Sequence, residues 1–375
     1  MKSKSDFNSR PVFFLASDQT DFALYIRRCQ TIGTRKDVAK RAGVSEATVS
    51  RVFNNVPPIR EETKQKVLEA AKQLNYHPNV LAQSFAKGKS QNIGVIVPYM
   101  PKVRLLSTHY FSEILSGIGV KLGEMNYGLL LLFQSPHEPR NYVHLFQTQK
   151  VDGCIILGSQ DFLDEKAALE QLHQLALPYC LVNQTYADYP FHSIDAMHYQ
   201  GSYEAVSLLL QKGLKRIAFL NGPVHYSNSL DRLAGYRDAL RDANIKLNEQ
   251  WIFQGNYSRK SGYQAAANIG PLLSQIDAIF TSNDRMAVGL MQGLREQGYQ
   301  AGHDYALMGY DDSDIVSMLT PQLASVNVPL FEMGQLAAEK VLCMIAEGIK
   351  EQIQVKLPVS VIERESIQIN SKKRS

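Results

Sequence analysis

The sequence predicts a small all-α domain followed by an α/β core of two doubly wound parallel-sheet subdomains. Three observations carry this. Positive charge is concentrated near the start: Ile32 to Asn92 holds eleven Lys/Arg against five Asp/Glu, whereas the chain from Ile93 onward is net negative. The same basic stretch shows helix signals and almost no strand pattern. From Ile93 to about Ile369, short apolar runs alternate with amphipathic helical periods, as βαβ units do. The chain has 375 residues, of which 45% are hydrophobic and 20% charged, enough for two or three globular domains with a sizeable core.

Residues 1–31 contain PVFFLA and FALYI, but charged residues surround these runs and no signal-peptide order appears. The stretch reads as an extension, either a disordered arm or a start assigned too far upstream. Thr34-Arg35-Lys36-Asp37 has capping-box spacing, with Asp in place of Glu, and opens a helix through Val38, Ala39 and Ala42. Gly43 supplies a left-handed turn. Ser45 caps a second helix containing Val49 and Val52, and a third begins near Glu61-Glu62 with Val67, Ala70, Ala71 and Leu74 on one face. Two short helices joined by a glycine turn and braced by a third make a helix-turn-helix, expected over 32–77. Such a unit places its second helix in a DNA major groove. The hydroxyls of Ser45, Thr48 and Ser50 suit phosphates, and Arg51 can reach a guanine edge. A basic module joined to a neutral or acidic one fits that role.

A linker over 78–92 follows. Pro78 suits a helix start, Asn79 to Ala86 could make two turns, and Gly88 would end them. Eight residues are too few for a stable isolated helix, so the segment is expected to be disordered until something holds it.

The core, expected over 93–369, offers nine strand candidates: IGVIVP, YGLLLLF, DGCIILG, PYCLVN, KRIAFLNG, WIFQG, DAIFTSND, YALMGYDD and ASVNVP. Nine exceed one ordinary open sheet, which argues for two subdomains with a cleft between them. In such sheets ligands sit beyond the carboxyl ends of the strands. NGP, TSND and GYDD occupy those ends. Arg232 is expected to precede a helix and clamp a hydroxyl pair or carboxylate. Asn283, Tyr310 and Asp311 add acceptors and an aromatic face, and Asp284 and Asp312 read as structural, Asp284 as a helix N-cap. The set suits a polyhydroxylated ligand. The tail is 370–375, and no leucine heptad follows Ile369, which favours a dimer over a tetramer.

Cys29, Cys154, Cys180 and Cys343 are far apart, form no CxxC and read as buried free thiols of a reducing cytosol. The nine histidines show no metal spacing, and GxSxG, P-loop and GxGxxG motifs are missing, so no catalytic residue, metal or cofactor is assigned. No apolar run reaches the ~18 residues of a membrane span.

TRKDVAKRAGVSEATVSRVFNN, then YHPNVLAQSFAKGKSQNIGVIVP, DRLAGYRDAL, IFTSNDRMAVG and LMGYDDS, resemble the lactose/galactose repressor (LacI/GalR) family of bacterial transcription regulators. The resemblance covers nearly everything after residue 31. It implies a periplasmic-binding-protein-like core and a cytoplasmic, non-enzymatic regulator, most often a repressor. The implied partners are double-stranded operator DNA, a second copy of the chain as a homodimer, and a sugar or sugar derivative as effector. It places Glu46, Ala47 and Arg51 at base-reading positions, beside Thr34, Ser45, Thr48, Ser50 and Asn54. In the linker, Ala82 and Gln83 match the family pattern, and Phe85 stands where a leucine is usually wedged into the minor groove by paired hinges. Arg232, Asn283 and Asp311 match effector contacts, as do Asn183, Tyr257, Tyr110 and Phe111. Two other readings compete. A sugar-binding protein of the periplasmic type predicts an export signal and no basic head. An α/β enzyme with a helical appendage requires a nucleophile–base pair or a cofactor loop.

Overall fold

A computed structural model describes residues 33–77, 88–99, 104–135 and 138–369. The chain divides into two compact units between Gly88 and Lys89. The extension 1–31, the helix expected over Asn79–Ala86, Ala82, Gln83, Phe85 and the tail 370–375 lie outside the described residues.

The described residues of the first unit form three helices, α1 (Arg35–Ala42), α2 (Glu46–Phe53) and α3 (Glu61–Gln73). The cap of α1 is reciprocal: the Thr34 hydroxyl accepts from Asp37 N–H, and the Asp37 carboxylate accepts from Thr34 N–H at 2.9 Å. Gly43 turns the chain at φ 68°, and the Ser45 hydroxyl accepts from Thr48 N–H to start α2. Val38, Val49, Val52, Val67, Ala70 and Ala71 close the core, with Leu74 half-buried at its edge.

In the second unit, β1 (Asn92–Pro98), β2 (Gly128–Gln134), β3 (Gly153–Leu157), β4 (Tyr179–Val182) and β5 (Ser193–Ala196) enter one parallel sheet. Between them run α4 (His109–Glu124), α5 (Tyr142–Gln147) and α6 (Leu163–Gln174). The chain then crosses through α7 (His198–Gln211) to a second sheet, of β6 (Ile217–Asn221), β7 (Ile252–Gln254), β8 (Ala278–Thr281) and β9 (Ala306–Met308). Helices α8 (Ser227–Asp242), α9 (Arg259–Ile269), α10 (Asp284–Glu296) and the single turn α11 (Ile315–Met318) belong to this half. After β10 (Ser325–Asn327), α12 (Leu330–Glu347) returns to pack on β3, β4, β5 and α4. Strand β11 (Gln354–Leu357) then completes the first sheet, and β12 (Ser360–Ile362) pairs antiparallel with β10. The orders are β11-β5-β4-β3-β1-β2 and β7-β6-β8-β9, every pair parallel.

Close helix crossings rest on glycines. A Cβ on Gly117 of α4 would meet the Phe331 carbonyl oxygen, and one on Gly334 of α12 would meet that of Ile114. Both backbones approach because neither has a side chain there, so α4 and α12 pack as a tight pair.

Three expectations change. The described residues hold twelve strands rather than nine: β5, β11 and β12 carry polar or alternating sequences without an apolar run. Arg232 lies inside α8, not before a helix, because the helix already begins at Ser227. Cys343 is exposed on α12, unlike the buried Cys154 and Cys180, because it faces away from the sheet that the neighbouring Val341 and Leu342 cover.

Candidate functional site

On the helical unit, Val49 and Val52 turn inward and fix which side of α2 faces out. Ser45, Ala47 and Arg51 are exposed, while Glu46, Thr48, Ser50 and Asn54 are half-buried. Glu46 is held by Arg35, Nε to Oε2 at 3.0 Å, which ties the start of α2 to α1. The Ser45 hydroxyl lies 3.0 Å from that of Thr48. Asn54 closes α2, its backbone N–H donating to the Ser50 carbonyl and its Nδ2 to the Ser50 hydroxyl at 3.3 Å. Among the described residues Arg51 makes one hydrogen bond, Nη2 to the Pro57 carbonyl at 3.4 Å, and the side chain is exposed. Thr34 differs from the rest: its hydroxyl is engaged in the α1 cap, donating to Asp37 at 2.6 Å.

In the core unit, polar side chains converge from both sheets. Arg232 is 2% exposed, and its guanidinium carbon sits 3.8 Å from the centroid of the Tyr310 ring. Its Nη1 donates to the Ser282 carbonyl. Its Nη2 faces His198 Nδ1 at 3.3 Å and Asp311 at 3.7 Å, and its Nε is buried without a partner. Asp311 is held by backbone pairing, its N–H donating to the Val326 carbonyl. Burial raises its carboxyl pKa to about 6, against the pull of Arg232, His109 and Arg285.

Asn283 caps α10, its Oδ1 accepting from Met286 N–H, and its Nδ2 donates to the Tyr257 carbonyl at 3.1 Å. The expectation that Asp284 is the cap is therefore corrected. Asp284 begins the helix itself and is buried, bonded to Ser313 and Ser325. Burial, with Asp311 nearby, pushes its carboxyl up to about 8. Asp312 pairs with Arg364 at 2.7 Å, a structural contact. The Tyr257 hydroxyl donates to Asn228 at 2.7 Å, and Tyr110 packs edge-on against Phe111. Asn183, Tyr257 and Asp311 all have positive φ, at 63°, 64° and 100°. Such conformations concentrate at functional sites, where the surrounding structure holds them.

Both halves meet here. Gln160 donates to the Tyr226 hydroxyl at 2.7 Å, Ser227 N–H to Gln184 at 3.0 Å, and Asn228 Nδ2 to the Asn183 carbonyl at 3.3 Å. Asn183, Arg232, Tyr257, Tyr310 and Asp311 are linked directly or through Asn228 and His198, Asn283 joins them through the Tyr257 carbonyl, and Tyr110 and Phe111 pack on each other at the start of α4.

Sequence reasoning missed His198 and Asp195. His198 is fully buried between Asn183 (2.6 Å), Arg232, Tyr310 and Asp195 (3.4 Å). Burial and then the Arg232 charge hold its pKa below the usual value. Burial works against the Asp195 charge, yet His198 and Lys356 keep that carboxyl below its ordinary range. A single histidine opening a helix carries no sequence signal for such a role.

Residues 34–79 match the bacterial regulatory proteins of the lacI family, and residues 206–367 match a periplasmic binding protein-like domain. The HTH-type transcriptional regulator RegA of Clostridium saccharobutylicum is 30% identical over 334 residues, 88% of this chain and 98% of RegA. The chain belongs to the LacI family. Among solved structures, the lac repressor dimer bound to operator and the anti-inducer ONPF superposes with a TM-score of 0.78 at 28% identity, covering 90% of this chain and 99% of that one. The CelR–cellobiose complex gives 0.66 at 27%, covering 89% and 99%. This LacI-family chain is a DNA-binding transcriptional regulator, and its lacI-type head sets aside the exported sugar-binding protein. Its relatives are regulators rather than enzymes. Among the described residues no helix is long and apolar enough to cross a membrane.

Proposed function

We propose that this regulator acts in the cytoplasm as a homodimeric repressor whose operator affinity is switched by a sugar or sugar derivative bound between the two core subdomains. In this reading α2 reads half-sites of a near-palindrome. Ala47 and Arg51 face base edges, with Glu46 beside them, and Ser45, Thr48 and Ser50 face phosphates. Thr34 supports the interface by holding the α1 cap, and Asn54 by ending α2. The hinge positions Ala82, Gln83 and Phe85 order on the minor groove and wedge it open. Lysines and arginines of the head supply a salt-dependent share of the affinity.

The observation that carries the ligand reading is the meeting of Asn183, Arg232, Tyr257, Asn283, Tyr310 and Asp311 at one junction, beside Tyr110 and Phe111. Donors, acceptors and aromatic faces on opposite subdomains let a polyhydroxylated molecule bridge them, so binding biases their arrangement. Linkage then requires DNA to change ligand affinity by the same factor.

The test is a thermal-shift screen of the full chain against sugars and sugar phosphates. One compound should raise the melting temperature, and Arg232→Ala and Asp311→Ala should abolish the shift. Stabilisation by no sugar, but by a protein or nucleotide instead, would overturn the assignment.

A further inference from the structure

The proton positions around His198 decide what Asn183 offers to a ligand. Arg232 carries only donors, and its Nη2 lies 3.3 Å from His198 Nδ1, so Nδ1 must be the accepting nitrogen of a neutral ring. The proton therefore sits on Nε2. The Asn183 atom 2.6 Å from Nε2 must then accept, which fixes it as the amide oxygen. Asn183 is 4% exposed and its backbone has φ 63°, so the side chain has little freedom to turn over. Its Nδ2, a donor with two hydrogens, is left unused by His198.

The surrounding charges point the same way. Arg232 is buried with an unpartnered Nε and faces Asp311 only loosely at 3.7 Å. Arg285, on the first turn of α10, acts on the same carboxylate, and its other charged neighbour is Arg259. Arg285 has no hydrogen-bond or ion-pair partner among the described residues. His109, at the start of α4 on the opposite subdomain, also acts on Asp311. The Asp311 carboxylate thus lies 3.7 Å from the Arg232 guanidinium and feels the positive charges of Arg285 and His109 as well. Of the other acidic groups nearby, Asp284 is bonded to Ser313 and Ser325, and Asp195 lies 3.4 Å from His198 and 3.7 Å from Lys356 with no hydrogen bond to its carboxylate oxygens among the described residues.

We propose that this cleft selects an anionic sugar, carrying a carboxylate or a phosphate, and that His198 is a positioning residue which sets the preference by holding the Asn183 amide with its donor toward the ligand. The inference rests on the sugar reading above and narrows it. Charge-assisted hydrogen bonds from an arginine and an amide favour an anion over its neutral counterpart by tenfold or more.

Isothermal titration of the full chain tests it with matched probes: glucose, glucuronate and glucose 6-phosphate, then galactose, galacturonate and galactose 6-phosphate, with inorganic phosphate alone. An anionic member should bind about tenfold or more tightly than its neutral parent, and the carboxylate and phosphate arms identify which anion. Arg285→Gln and Asn183→Asp should each weaken that member by about tenfold and narrow its advantage. His198→Gln, which keeps a donor toward the Asn183 oxygen, should preserve the preference, and His198→Leu should erase it. If the leucine variant does not fold, the Arg285 and Asn183 variants decide. A neutral sugar that binds as tightly as its acid, in a manner lost in Arg232→Ala, overturns the anionic assignment alone. Binding by none of the sugars overturns the sugar reading together with it.

Discussion

The guanidinium of Arg232 and the carboxylate of Asp311 face each other at 3.7 Å across the end of β9, with the Tyr310 ring stacked under the guanidinium. The pair is too far apart for a direct hydrogen bond, and both groups are largely removed from water. Each therefore keeps capacity for a third partner. Removing Arg232 leaves a buried carboxylate without its counter-charge, a loss of about 3–5 kcal/mol when such pairs are broken. Arg232→Ala should lower the melting temperature of the ligand-free chain and also abolish stabilisation by the effector. Asp311→Asn should abolish that stabilisation while leaving the ligand-free melting temperature near or above the parent value. Thermal melts of both variants, with and without ligand, check this. Equal ligand shifts in parent and variants would remove the pair from the site.

Asp284 yields a pH prediction. Its folded pKa, about 8, lies above the ordinary carboxylate value, so the folded state holds the proton more tightly than the unfolded chain. The sign follows: this group contributes no penalty near pH 4, and stability falls as pH rises toward 8. A protonated Asp284 can donate to Ser325 and accept from Ser313, and asparagine can do the same. Asp284→Asn should match the parent at pH 4 and melt higher at pH 8.5. Melting curves across that interval measure the difference, and a gap that does not widen with pH would contradict the assignment.

Much of this was legible before any coordinates. The head could be read almost residue by residue because short-range rules govern it: Thr34 with Asp37, Gly43, and Ser45 with Thr48 are contacts within a few positions. The buried parallel strands β1, β3, β6 and β8 announced themselves as apolar runs. Strand β5 did not, because its buried Ser193 and Asp195 interrupt the run. Edge strand β11 alternates exposed and half-buried residues and owes its place to pairing with β5, from which it is separated by more than a hundred residues. Arg232 and Asp311 were found through motif, but His198 was not, since its partners come from β4, α8 and the end of β9. A network of that kind exists only after the fold has formed.

Arg51 is an exposed base-reading candidate of α2, with one weak contact at 3.4 Å among the described residues. Arg51→Ala should cost about 1–3 kcal/mol of affinity for the preferred duplex and relax specificity at one base pair. Lys36→Ala and Lys40→Ala should instead weaken all duplexes alike and flatten the salt dependence. Fluorescence anisotropy at several salt concentrations separates the two behaviours.

The α4–α12 crossing gives a stability prediction independent of function. Gly334→Ala places a methyl group against the Ile114 carbonyl, and backbone on both sides has to move. Overpacking of this kind costs about 1–3 kcal/mol or more. Gly119→Ala, on the partner helix α4 with open space at its Cβ, should be neutral or slightly stabilising. Urea denaturation of the two variants provides the comparison. Equal midpoints would show that the helices are not packed this closely.

The central claim is that a ligand in the cleft controls how the head grips DNA. Its most direct test is the affinity of the full chain for a duplex selected from a random library, measured with and without the sugar that raises its melting temperature. The account predicts a near-palindromic site with half-sites about one helical turn apart, tighter binding in dilute salt, and an affinity that changes when the sugar is added. Failure to bind any duplex above background in dilute salt, or an affinity the sugar leaves unaltered, would contradict it.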